Sequence, residues 1–182
     1  MNKIFNPNKS KIYFDQYLFI SISLLSIMGL LFLYSASQGS TETIIKQSLF
    51  VVFGLILMFV LSQPDPDFYK NNALFFLILS IILIFLTMLF GKEVNGAQRW
   101  LDLGFFTLQA SEIIKIALPV FLAAYLYDKP LPINLFQTFI TLVLILTIVN
   151  LIRVQPDLGT SLVILVAGLY ILFLAGLSWR FI

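Results

Sequence analysis

From Gly91 to Lys115 the chain reads GKEVNGAQRWLDLGFFTLQASEIIK. Long apolar runs lie on both sides of it, and it carries Glu112 and Lys115 directly into the fourth run. A charge inside hydrocarbon costs at least ~2.5–3.5 kcal/mol on insertion scales, so such a pair must face a bundle interior or a wet cavity. How this stretch is read therefore decides whether the chain is a set of membrane spans with a polar site between them.

Composition supports that reading. Of 182 residues, 60% are hydrophobic and 11% charged, with a mean hydropathy of +1.00. Soluble domains are about a quarter charged, so the apolar excess is explained by lipid, and the chain reads as an integral membrane protein. It has no Cys and no His. That removes disulfides, thiolate metal sites, Cys nucleophiles and the commonest general base. A formal charge of +2 gives no argument for a nucleic-acid partner.

Outward from the polar stretch, the pattern predicts an all-α fold, a polytopic membrane helix bundle. About six spans are expected at ~20 residues each, over residues 17–34, 47–61, 73–90, 113–127, 133–152 and 162–177, in a single domain covering 1–182. The first run competes with a signal peptide, because Ser35-Ala36-Ser37 resembles a small-residue cleavage site. Its length and the further runs behind it favour an uncleaved helix. The first three runs are apolar on every side, as lipid-facing or buried helices are. Pro64 and Pro66 stop the second helix, and Pro119 should kink the fourth. Asp128 to Pro132 reads as a tight turn.

Six spans put both ends on one side. With the tail carrying Lys3, Lys9 and Lys11 inside, Lys70, Lys129 and Arg180 are also inside; Lys46, Lys92, Arg99, Lys115 and Arg153 are outside. The bias is small, and it is the basic tail and short turns that favour this orientation. Two polar islands, Gly91–Lys115 and Arg153–Ser161 (RVQPDLGTS), then open on the same outer face.

Within these islands, Glu112 and Lys115 stand at i, i+3 and can pair, either as a structural pair or in a substrate cavity. Asn95-Gly96 signals a turn. Arg99 beside Trp100 suits an interfacial anchor or a phosphate contact, for which a guanidinium fork is shaped. Ser111 is a plausible N-cap for the helix that Glu112 enters. Arg153 and Asp157 are four apart, with Pro156 breaking any regular helix between them and Gly159 permitting a bend. Asp157 could be a base, a metal ligand or a structural partner. No P-loop, zinc site or catalytic triad has its spacing here.

NGAQRWLDLGFFTLQASEIIK resembles the NGAxRWxxLGxxxxQPSExxK segment of the SEDS family of bacterial cell-wall proteins, and QPDLGTSLVILVAGLYILFLAGLSWR resembles the island and helix that follow it there. The Leu-Ala-Gly-Leu-Ser-Trp-Arg ending is closer to the RodA branch than to the FtsW branch. Ala110 departs from the usual Pro, with little consequence expected, since Ala is a good helix former. The resemblance implies a peptidoglycan glycosyltransferase of the bacterial cytoplasmic membrane. Its substrate would be lipid II, its setting cell-wall elongation and rod-shape maintenance, its partner a class B penicillin-binding protein, its surroundings membrane lipids, and a divalent cation would accompany the activity.

The resemblance also implies that Arg99, Glu112, Lys115, Arg153 and Asp157 line or brace an outward polar cavity. The family fold has about ten spans, with its catalytic Asp in a large outer loop after the seventh. Asp157 is not that residue. The sequence is therefore expected to be the N-terminal part of a longer protein or an interrupted product, with no polymerase activity alone. Competing readings are a transporter or flippase for lipid-linked sugars, and a non-catalytic scaffold that holds the penicillin-binding protein.

Overall fold

In the computed structural model, residues 15–94, 97–104 and 106–176 are described. The chain forms two compact units, Met1–Asp65 and Pro66–Ile182.

The first unit is a helical hairpin of α1 (Gln16–Ala36) and α2 (Thr41–Ser62). Asp15 caps α1 by accepting from the Leu18 N–H, and Ser40 caps α2 through Thr43. The turn between them passes through Gly39 at φ +78°, a left-handed geometry that suits glycine. Neither helix has a buried residue, which is the pattern of helices apolar on all sides.

The second unit holds the core. It contains α3 (Pro66–Phe90), β1 (Lys92–Val94), β2 (Ala97–Asp102), β3 (Thr107–Gln109), α4 (Ala110–Tyr127), α5 (Leu135–Val154) and α6 (Leu158–Leu174). Helix α3 packs chiefly on α4, and α6 lies against both α4 and α5. Ile84, Ile114, Leu118, Leu122, Ile145, Ile148, Ile152 and Leu172 fill the space between them and are almost fully buried. Gly168 lets α6 approach α5 closely, since a Cβ there would lie 2.8 Å from Ile145 Cδ1. At one end, Lys70 pairs with Asp128 at 3.3 Å and stands 3.6 Å above the Tyr127 ring, tying the start of α3 to the end of α4.

Five helices, α1 to α5, are long and apolar enough to cross a membrane. Helix α6, with 17 residues, rises about 26 Å at 1.5 Å per residue. Five hydroxyls inside the helices are satisfied locally. Ser26, Ser80, Thr87, Thr141 and Thr147 each donate to the carbonyl four residues earlier, which suits a medium without water.

Several expectations need correction. Helices α2 and α3 begin at Thr41 and Pro66, before the apolar runs at 47 and 73. The first turn of α2 is capped by Ser40, and Pro66 sits at the first helical position of α3, where its missing N–H is harmless. The all-α expectation misses the polar stretch after α3, where β1, β2 and β3 form an antiparallel sheet in that order. The Asn95-Gly96 turn, the basic tail and Ser178 to Arg180 lie outside the described residues.

Candidate functional site

All the polar islands of the second unit come together at one end. The C-terminus of α3, the sheet, the N-terminus of α4, the C-terminus of α5 and the N-terminus of α6 meet there. The chain leaves α3 through Gly91, where a Cβ would lie 2.2 Å from the Thr87 carbonyl oxygen. Glycine is required by that approach. The sheet then sets Trp100 opposite both Lys92 and Gln109, and Lys92 reaches Asp102 at 3.8 Å.

Arg99 projects from β2 onto the turn between α5 and α6. Its Nε donates to the Gln155 carbonyl at 2.9 Å, and its Nη2 donates to the Pro156 carbonyl. These carbonyls lie at and just beyond the C-terminus of α5, which lacks intrahelical donors and carries the negative end of the helix dipole. A guanidinium supplies two donors in one plane, as this contact requires. Arg99 thus clasps the second island to the first.

Asp157 is the N-cap of α6. Its Oδ1 accepts from the Thr160 N–H at 3.1 Å, and its Oδ2 accepts from Gln109 Nε2 at 3.3 Å. Its exposure is 8%. The carboxylate faces the positive end of a helix, where its charge is stabilised. The anticipated Arg153 partnership is not found among the described residues: Arg153 is exposed in the last turn of α5. Pro156 and the cap turn the chain between them.

Glu112 and Lys115 do pair, at 2.7 Å, across one turn of α4. The Lys115 side chain is 28% exposed and that of Glu112 55%. An ammonium has three N–H donors, and Glu112 occupies one. Ser111, expected to cap α4, does not. The cap position is Gln109, without a side-chain cap bond, because Gln109 turns its amide to Asp157. Ser111 Oγ is buried and without a partner.

Two site residues had not been singled out from the sequence, Gln109 and Gln155. Gln155 is 5% exposed and donates to the Ile84 carbonyl at 3.4 Å, crossing to α3. Both glutamines lie inside the quoted islands, but nothing in the spacing says which amide turns inward. Among the described residues, no three His, Cys, Asp or Glu side chains cluster.

Residues 15–182 match the FtsW/RodA/SpoVE family of cell cycle proteins. The chain is 40% identical to the peptidoglycan glycosyltransferase MrdB of Escherichia coli K12 over 97% of its own length and 49% of that protein's. It is 36% identical to the peptidoglycan glycosyltransferase RodA of Treponema pallidum, over 93% of this chain and 40% of that one. The fold superposes on the crystal structure of Thermus thermophilus RodA with a TM-score of 0.85 at 29% identity, covering 95% of this chain and 57% of that one. A chain of a peptidoglycan synthase complex that coordinates polymerization and crosslinking also matches, with a TM-score of 0.85 at 29% identity over 94% of this chain and 51% of its own. The chain spans about half the length of the relatives it matches.

Proposed function

The chain belongs to the FtsW/RodA/SpoVE family of cell cycle proteins, and on that premise we propose that it builds the outward polar rim of a peptidoglycan glycosyltransferase acting on lipid II. Its helices make it a multi-pass protein of the bacterial cytoplasmic membrane. The observation that carries the proposal is the clasp between islands. Arg99 on Gln155 and Pro156, with Gln109 on Asp157, fixes the starts of α4 and α6 side by side. Lys115 rises one turn further along α4 with ammonium donors left over.

In this reading Lys115 meets a phosphate of the lipid-linked sugar, and Glu112 holds the ammonium in place. Arg99 and Asp157 are positioning residues, holding the floor of the site. Arg153, exposed at the end of α5, adds positive potential at the mouth. A divalent cation beside the phosphates belongs to the proposal, as the family resemblance implies it, and no step here depends on one. Deprotonation of the acceptor sugar hydroxyl needs a base, and none of these residues is assigned that role. Partnership with a class B penicillin-binding protein is part of the proposal, supported by the likeness to a chain of a peptidoglycan synthase complex.

The test is pyrophosphate binding by this chain in nanodiscs. Inorganic pyrophosphate should bind saturably. Lys115→Ala should weaken it about ten-fold or more, the loss of one charge-assisted hydrogen bond. Equal affinity in the variant would remove Lys115 from the site.

A further inference from the structure

Beside the clasp lies a cleft of about 300 Å³ lined by Met88, Glu93, Ala97, Gln98, Gln155 and Pro156, with Val154 at its edge. It is built from the last turn of α3, the β1–β2 hairpin and the α5–α6 turn. Glu93 and Gln98 are paired across β1 and β2, so their side chains stand on one face of the hairpin. Both are exposed. Gln155 is held by its bond to the Ile84 carbonyl, and Arg99 fixes the Gln155 and Pro156 backbone. The floor is therefore rigid and the rim reachable.

The lining has a definite chemistry. No Lys or Arg takes part in it, so it does not suit a phosphate. Glu93 has no ion-pair partner among the described residues. A carboxylate accepts from hydroxyls, and a glutamine amide both donates and accepts. Met88, Ala97 and Pro156 offer apolar surface beside them. Small-ligand sites combine such apolar walls with a few placed polar groups, and this volume lies at the small end of their range. One pyranose ring meets those demands: C–H faces against the wall, hydroxyls on Glu93, an acetamido group on Gln98.

We propose that this cleft is a carbohydrate subsite that takes one N-acetylated sugar of the glycan, apart from the Lys115 phosphate contact. It rests on the glycosyltransferase reading in supplying the reason for a glycan to be nearby, but it makes a separate prediction. The subsite would hold a sugar while the lipid-linked phosphate occupies the neighbouring island.

The experiment uses the whole chain in nanodiscs, with diacetylchitobiose and inorganic pyrophosphate as separate probes read by NMR titration. Chitobiose should bind saturably. Glu93→Ala and Gln98→Ala should each weaken it about ten-fold and leave pyrophosphate binding unchanged, which also shows that the variants are folded. Failure of chitobiose to bind, or binding indifferent to both variants, while pyrophosphate still binds, overturns the subsite and leaves the Lys115 reading standing. Chitobiose binding that the variants weaken, without pyrophosphate binding, supports the subsite and sinks the Lys115 reading. Preference of the cleft for free lysine over the sugar would assign it to an amine and overturn the proposal.

Discussion

At the scale of single residues, charge and capping divide the work. Asp157 accepts at a helix start through Oδ1 and from Gln109 through Oδ2; an Asn oxygen can keep the cap, and its amide nitrogen can donate to Gln109 once the Gln109 amide turns over to present its oxygen. Asp157→Asn should therefore keep most of the stability, and Asp157→Ala should lose about 1 kcal/mol. Thermal unfolding in detergent distinguishes the two; an Asn variant as unstable as Ala would mean the negative charge itself is needed. Ser111 has the opposite character. Its buried hydroxyl bonds to nothing, so it bears a desolvation cost of about 1–3 kcal/mol without return. Ser111→Ala should raise the melting temperature, and a fall would reveal a bond or ligand that the hydroxyl serves. Arg99→Lys keeps the charge but loses the planar fork. It should lower protection of the Thr160 and Ser161 amides from hydrogen exchange, because the turn before α6 loses one of its two ties.

At the scale of elements, the helices follow from apolar run length and their beginnings do not. Thr41 to Lys46 and Pro66 to Asn72 are polar and still helical, since capping and Pro at the first position decide a start where hydropathy is silent. The sheet escaped the sequence for another reason. Two strands are three residues long, too short for alternation to show, and the six-residue β2, AQRWLD, does not alternate apolar with polar. Helix packing gives a sharper prediction at Gly168, which faces Ile145 at the α5–α6 crossing. Gly168→Ala should cost about 1–3 kcal/mol by overpacking. Adding Ile145→Val should recover part of it, because the two sites are in contact and couple. Full additivity in unfolding measurements would show that the helices do not meet there.

At the scale of the whole molecule, the composition alone marked a membrane protein, and the two islands were visible as polar breaks. Their meeting was not legible. Arg99 and Gln155 are 56 positions apart, and no local rule couples a strand residue to a distant helix end. The span count puts both islands on one face, and the resemblance of both to one family implies a shared cavity. Two of the five candidate residues, Arg99 and Asp157, make bonds between the islands, and Lys115 pairs with Glu112 on α4.

The central claim is that both islands form one site on one membrane face. The chain has no cysteine, so single introduced thiols report cleanly. Gln98→Cys and Val154→Cys line the same cleft, and Lys129→Cys marks the opposite end of α4. Labelling intact cells with a membrane-impermeant maleimide should modify Gln98→Cys and Val154→Cys alike, and Lys129→Cys only after permeabilisation. Modification of Gln98→Cys from one side and Val154→Cys from the other would contradict the account.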